Sequence, residues 1–274
     1  MGYKYKIVCS DLDGTLLNNH AEISLENLQA IRELINRGVH FVPSTGRTFS
    51  ELPAEIKNDD SIRYVIHSNG AVVLDRQTNQ RQLVCMSNET TRKILDILYQ
   101  NETHITVRHD GNCFIDASFA DEESYDYYNV CEPHRVVLRE FAICSRDFKA
   151  FSCGLSDVEV ISVFFHDYEE MIACKKQIEA LGGLRIVGVS EFNLEIMNVH
   201  AGKGNALHSL ADMLGVAHGD TISIGDSDND ASIVEAAGLG LAVSNACDSL
   251  KAVADEEICS NEEHAIAYVL THYF

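Results

Sequence analysis

The chain opens with a short apolar run, Ile7-Val8-Cys9, that gives way to polar Ser10 to Thr15. A stretch follows whose apolar residues recur every three or four positions: Leu28, Ile31, Leu34 and Ile35. That change of period predicts a strand, a loop and an amphipathic helix in succession. Ser24 is placed to cap the helix start and Gly38 to end it. A second apolar run, Val39 to Val42, leads into Ser44-Thr45-Gly46-Arg47, and a third, Tyr64 to Ile66, into Ser68-Asn69-Gly70. The same grammar returns near the C-terminus. A helix carries Leu207, Leu210 and Leu214, a strand from Thr221 to Ile224 ends at Gly225-Asp226, and a helix runs from about Asp230 to Ala237. A strand from Leu239 to Val243 and a last helix near Glu262 to Leu270 complete it. Strands alternating with helices, each strand closing on a small polar loop, predict an open α/β fold with a doubly wound, mostly parallel sheet. Ligands of such sheets bind at the carboxyl ends of the strands.

Residues 83–191 break this grammar. Helices from Thr91 to Tyr99 and from Tyr168 to Leu181 are interspersed with strands in adjacent pairs, such as Ile105 to Arg108 with Cys113 to Asp116, for which Gly111-Asn112 supplies a turn. The pattern predicts an α+β domain inserted into the first, which then comprises residues 1–82 and 192–274.

Asp11 and Asp13 stand two apart where the first strand ends, a spacing that in extended backbone projects both side chains to one side. For an isolated pair of this kind two readings are open: a site for an oxygen-ligated divalent cation, or a solvated acidic turn. Other parts of the chain change the balance, because Thr45 offers a hydroxyl, Lys203 a cation and Asp226 another carboxylate at comparable loop positions. A transferring phosphoryl group spreads negative charge over its oxygens, so a site for it combines a metal, a lysine or arginine, and hydroxyl or backbone donors around one position.

Four segments in order, DLDGT at 11–15, STGR at 44–47, GKG at 202–204 and GDSDND at 225–230, resemble motifs one to four of the haloacid dehalogenase-like hydrolases. Their spacing, with the insertion after Asn69-Gly70-Ala71, resembles the Cof-like branch, in which a large C2-type cap domain enters between the third strand and motif three. The resemblance spans essentially the whole chain, the cap matching in architecture more than in motif. It implies a Rossmann-like catalytic core, a cap that sets substrate specificity, and a magnesium-dependent phosphatase acting on small phosphomonoesters such as sugar phosphates, flavin mononucleotide or pyridoxal phosphate.

On that resemblance Asp11 is the nucleophile that accepts the phosphoryl group, Asp13 the acid and base, and Thr45 and Lys203 the remaining catalytic positions. Leu12, Gly46, Arg47, Asn69 and Asn229 fall on the phosphate side. Magnesium would be held by Asp11, Asp226 and Asp230 with the backbone carbonyl of Asp13. Ile233, Ser227 and Pro43 depart from the usual family choices without removing a catalytic group. Aspartate at position 13, where the transport ATPases of the superfamily carry threonine, implies quick turnover of the phosphoenzyme. Two other function classes stay open: a phosphotransferase or mutase of the same superfamily, and a non-catalytic sensor of a phosphometabolite.

Composition narrows the partners. With 42 acidic against 21 basic side chains, a formal charge of -21, long-range electrostatics oppose nucleic acid and anionic membranes, and leave room for a local site for a small anion. Nine cysteines with no CxxC spacing do not suggest a disulfide framework or a zinc site, and no stretch approaches the length of a membrane span. A cytoplasmic protein is the expectation. The twelve histidines form no metal-binding pair; a place in the cleft stays open for His67 and His200, near motif strands. No GxxxxGK or GxGxxG loop is present, which argues against a nucleoside triphosphatase or a dehydrogenase.

Overall fold

The computed structural model of the protein describes residues 3–188 and 190–274. The backbone divides into two compact units. The first contains the chain up to Gly46, Leu52–Gln82 and Gly202–Phe274; the second, inserted unit contains Arg47–Glu51 and Leu83–Ala201.

A parallel sheet forms the centre of the first unit. Its strands lie in the order Glu256–Ile258, Leu239–Val243, Thr221–Gly225, Ile7–Ser10, His40–Pro43. A further strand, Tyr64–His67, continues it through a parallel bridge from Ser44 to Ile66. The chain therefore builds outward in one direction from Ile7–Ser10 and returns to build in the other, and the strand order reverses between Ile7–Ser10 and Thr221–Gly225. Ile7, Cys9, Val42, Tyr64 and Ile66 pack with Leu207, Leu210, Ala211 and Ile233 from helices Lys203–Leu214 and Ala231–Ala236 on one face. By the pleat, buried Val8 and Phe41 point to the opposite face. Helices Leu25–Asn36 and Ala265–Tyr273 pack against each other elsewhere in this unit.

The first helix has its expected Ser24 cap, whose Oγ accepts from the Asn27 N–H at 3.2 Å, and it ends before Gly38. Its buried side is rotated from the expected one. Asn27, Ala30, Ile31 and Leu34 are buried, while Leu28 and Ile35 are only partly covered. The polar Asn27 is buried because it has work for all its atoms: Oδ1 accepts from the Ile266 N–H at 3.0 Å, at the open start of the last helix, and Nδ2 donates to the Leu16 carbonyl. That last helix begins at Ala265, later than expected, because Ser260 and Glu263 form a capping box over the preceding turn.

The inserted unit holds a six-stranded sheet in the order Leu184–Val187, Asn193–Asn198, Val158–Phe165, Thr103–His109, Asn112–Asp116, Ile143–Ser145. Helices Asn88–Leu98, Phe148–Gly154 and Tyr168–Glu179 cover one face, contributing to a core of Ile94, Leu98, Phe148, Ile161, Val163, Ile178 and their neighbours. Two expectations are corrected here. The hairpin turn is Asp110-Gly111, both at positive φ (50° and 71°), instead of Gly111-Asn112, since His109 pairs with Asn112 and the two-residue turn needs left-handed backbone at both centres. The return from this sheet also comes later than residue 192, because Asn193–Asn198 is hydrogen-bonded between Val158–Phe165 and Leu184–Val187.

Two glycines fix where the Lys203–Leu214 helix begins. A Cβ on Gly70, at φ 84°, would stand 2.4 Å from the Gly202 carbonyl, and a Cβ on Gly204 would stand 2.2 Å from the Ser232 carbonyl oxygen. Close backbone approach on both sides thus holds Lys203 in place. Gly204→Ala is expected to lower the unfolding free energy by roughly 1–3 kcal/mol, the usual cost of overpacking. Chemical denaturation measures this, and an unchanged midpoint would mean the Ser232 segment moves aside freely.

Candidate active site

Parallel neighbours end side by side, and here the register makes that useful. Ser10 is level with Ile224, and the Asp11 N–H donates to the Ile224 carbonyl at 3.0 Å. Asp11 therefore leaves one strand beside the point where Gly225-Asp226 leaves the next, at the reversal of strand order where α/β sheets bind ligands. The turn after Asp11 is wide: the Leu17 N–H reaches back to the Leu12 carbonyl at 2.8 Å. It returns Thr15 to donate its hydroxyl to Asp226 Oδ1 at 3.2 Å.

Lys203 lies at the centre of the arrangement. Its Nζ donates to Asp11 Oδ1 at 2.7 Å and to Asp230 Oδ1 at 2.6 Å, and the side chain is 1% exposed. The other oxygen of Asp230, Oδ2, accepts from the N–H groups of Asp226 and Ser227 at 3.1 and 3.2 Å, so one carboxylate both folds the 225–230 loop and anchors the lysine. Oxygens of Asp11, Asp226 and Asp230 all lie within 4.8 Å of one another.

Two carboxylates meet one buried ammonium, with a third beside them. Burial, reinforced by the charge of Asp230, pushes Asp226 up to about 6. The same two causes raise Asp11 well above the carboxylate range, against the pull of Lys203. Burial disfavours the charge on Lys203, but Asp11 and Asp230 outweigh it and raise its pKa. A compact, all-oxygen, electron-rich cluster of carboxylates fits a hard divalent cation such as magnesium.

The remaining expected residues divide. Leu12 and Thr45 are buried in the first unit; the Thr45 N–H donates to the Ile66 carbonyl at 3.0 Å, and the Thr45 carbonyl accepts from the Asn69 N–H at 3.1 Å. Gly46 lies against Asn69, where a Cβ would stand 2.9 Å from Asn69 Oδ1. Asn69 itself sits at φ 56° in the loop after its strand. Asp13 and Asn229 are exposed, Asn229 accepting from the Ser227 hydroxyl at 2.8 Å, and Asp13 is outside the three-carboxylate cluster. Arg47 belongs to the inserted unit, where its Nη1 donates to the Glu51 carbonyl at 3.0 Å. Among the two histidines left open, His67 is buried with Nδ1 3.0 Å from Ser68 Oγ, and His200 is exposed in the inserted unit.

Sequence reasoning gave no role to Thr15 or to Asn245, whose Nδ2 donates to the Gly14 carbonyl at 2.8 Å. Thr15 sits inside the DLDGT segment and was open to notice; Asn245 follows the last strand but one with no local signal.

Known proteins resemble the chain over nearly its whole length. The chain is 29% identical to Phosphatase YwpJ of Bacillus subtilis, over 97% of this chain and 99% of that protein. It is 28% identical to the 5-amino-6-(5-phospho-D-ribitylamino)uracil phosphatase YwtE of the same organism, over 97% and 96%. A solved haloacid dehalogenase-like hydrolase from B. subtilis superposes with a TM-score of 0.79 at 28% identity, covering 98% of this chain and all of the other. The haloacid dehalogenase-like hydrolase family matches residues 8–270, and the chain belongs to that family.

Proposed function

We propose that this protein is a magnesium-dependent phosphomonoesterase that hydrolyses small phosphorylated metabolites through an aspartyl-phosphate on Asp11. The observation that carries the reading is the buried Lys203 ammonium between Asp11 and Asp230, beside a third carboxylate, at the carboxyl ends of adjacent parallel strands.

In this reading Asp11 attacks phosphorus and the ester P–O bond breaks. Asp13 gives its proton to the leaving oxygen, then takes one from the water that opens the acyl phosphate. Its exposure suits a group that must exchange protons with substrate and water. Lys203 offsets the charge of a phosphate brought against carboxylates, with Thr45, Leu12, Gly46, Asn69, Arg47 and Asn229 as the proposed phosphate-side positions. Magnesium, held by Asp11, Asp226 and Asp230 with Asp13, would supply the rest of that positive charge. The inserted unit is proposed to choose the leaving group.

The nearest substrate guides are relatives: one is named for a ribitylaminouracil phosphate. Sugar phosphates, flavin mononucleotide and pyridoxal phosphate are the classes proposed here. All nine cysteines are free thiols, which fits a reducing cytoplasm. Among the described residues no helix is long and apolar enough to cross a membrane.

Asp11→Asn, which keeps an oxygen to accept from Lys203, is expected to cut release of inorganic phosphate from an aryl phosphate by at least about 10³-fold with an unchanged circular dichroism spectrum. Turnover near the wild-type rate would remove Asp11 from the chemistry. Stoichiometric free phosphate, as against phosphate transferred to an added sugar alcohol, separates hydrolysis from phosphotransfer.

Metal binding carries its own sign. Because Asp226 is raised to about 6, the folded chain keeps a proton that the unfolded chain releases near the ordinary carboxylate value. Its contribution to stability is full below that value and is lost as pH rises through about 6. A divalent cation replaces the missing charge, so millimolar magnesium chloride should raise Tm clearly at about pH 7.5 and much less at about pH 5, where protons compete. Equal shifts at both would place the ion elsewhere.

A further inference from the structure

The inserted unit has one apolar sheet face and one face with a polar centre. On the second, Arg108, Glu159, Ser162, Asn193 and Glu195 are buried. Helix Glu132–Phe141 belongs to the second core of this unit through Leu138, which packs with Cys113, Ile115 and Phe164. The start of that helix brings a thiol and an imidazole together. Cys131 is the N-cap residue, and its Sγ lies 3.3 Å from His134 Nδ1. The other ring nitrogen, Nε2, is 3.7 Å from Glu195 Oε1, an ion-pair separation, and the ring packs edge-on against Phe164 at 5.0 Å between centroids. Glu195 is also 3.2 Å from Arg108 Nη1, which fixes its position.

We propose that Cys131, His134 and Glu195 form a second reactive centre, a modification site in which the Cys131 thiolate, paired with the His134 imidazolium, is oxidised by hydroperoxides. Sγ attacks the terminal peroxide oxygen and the O–O bond breaks. Sulfur loses two electrons to become a sulfenic acid. The departing alkoxide or hydroxide takes the proton from His134 and leaves as alcohol or water.

Three features support this. A thiol is reactive as its thiolate, which a neighbouring imidazolium and the positive end of a helix both favour. A carboxylate behind the imidazole, at ion-pair distance, stabilises its charge, the general logic of an activated nucleophile. Cys131 is partly exposed, whereas Cys9, Cys113 and Cys174 are buried. Titration agrees in direction. Burial raises the Cys131 thiol, but the bond to His134 and its charge prevail and bring it below the ordinary value. Burial also opposes charge on His134, and Cys131 and Glu195 outweigh it and lift the imidazole to about 9. The other charged or titratable groups acting on this ring are Arg108, which opposes its charge, and His104, pushed down to about 4 chiefly by burial. Burial drives Cys85 and Cys113 the other way, to about 12, and Cys174 to about 11.

The test uses the full chain with limiting iodoacetamide, read cysteine by cysteine by peptide mass spectrometry. At about pH 6 Cys131 should be alkylated about tenfold faster than the exposed Cys144, with a rate that rises by clearly less than tenfold per pH unit up to about pH 8. A Cys131 rate at or below that of Cys144, or one rising about tenfold per pH unit as for an ordinary thiol, overturns the proposal. His134→Gln should abolish the advantage; if that variant is misfolded by circular dichroism, the wild-type pH profile alone decides. Equimolar hydrogen peroxide followed by dimedone should label Cys131 first and leave Cys131→Ser unlabelled. Labelling that ignores Cys131 overturns the hydroperoxide step.

Discussion

A primary ammonium buried to 1% exposure is a costly thing to fold around, and in the first unit it is placed where two carboxylates meet it at 2.6 and 2.7 Å. Removing an ion from water costs several kcal/mol even after relaxation, and only close, hydrogen-bonded counter-charge offsets that. Lys203 therefore requires Asp11 and Asp230, and Asp230 in turn requires the N–H groups of Asp226 and Ser227. The loop after one strand, the loop after its neighbour and the start of a helix become one electrostatic object. Because the carboxylate of Asp226 lies beside that pair with no second cation of its own among the described residues, the cluster holds three carboxylates around a single lysine charge, the condition under which a divalent cation and a phosphate are useful together.

The sheet topology is what lets so few contacts organise the site. Parallel strands hydrogen-bonded in register deliver their following residues to one edge about 4.8 Å apart. With the order reversing between Ile7–Ser10 and Thr221–Gly225, residues far apart in sequence leave the sheet side by side. Glycines then allow the approach: Gly70 and Gly204 have no side chain where backbone from Gly202 and Ser232 passes. The inserted unit solves a different problem with the same physics. Its buried Arg108 is matched by Glu195, and Glu195 is shared with His134, so a polar centre is tolerated within a folded sheet.

Much of this was legible before any coordinates. Strands and helices of the first unit follow from apolar runs and stripes, because a strand buried on both faces must be continuously apolar and a helix on its surface must be apolar on one side. Asp11, Lys203 and Asp226 are suggested by their type and their positions beyond strand ends, and Asp230 by the family resemblance alone. Less legible were Asn27, whose burial depends on capping a helix more than two hundred residues away, and the Asp110-Gly111 turn, where two adjacent pairs of turn-forming residues compete and only the strand register decides. The late return at Asn193–Asn198 belongs to the same class, since the sheet an apolar strand joins is set by its pairing partners.

By itself, then, the order of residues determined the element types, the presence of an insertion and the inventory of charged groups available for chemistry, all of which depend on local pattern. Only the tertiary structure decided which carboxylates share the lysine, that Asp13 faces solvent while Asp230 is fully buried, and that a cysteine and a histidine at one helix start line up with a glutamate from a strand of the inserted unit. The reason is physical: charge interactions fall off with distance and strengthen with burial, and neither quantity exists until the chain is folded.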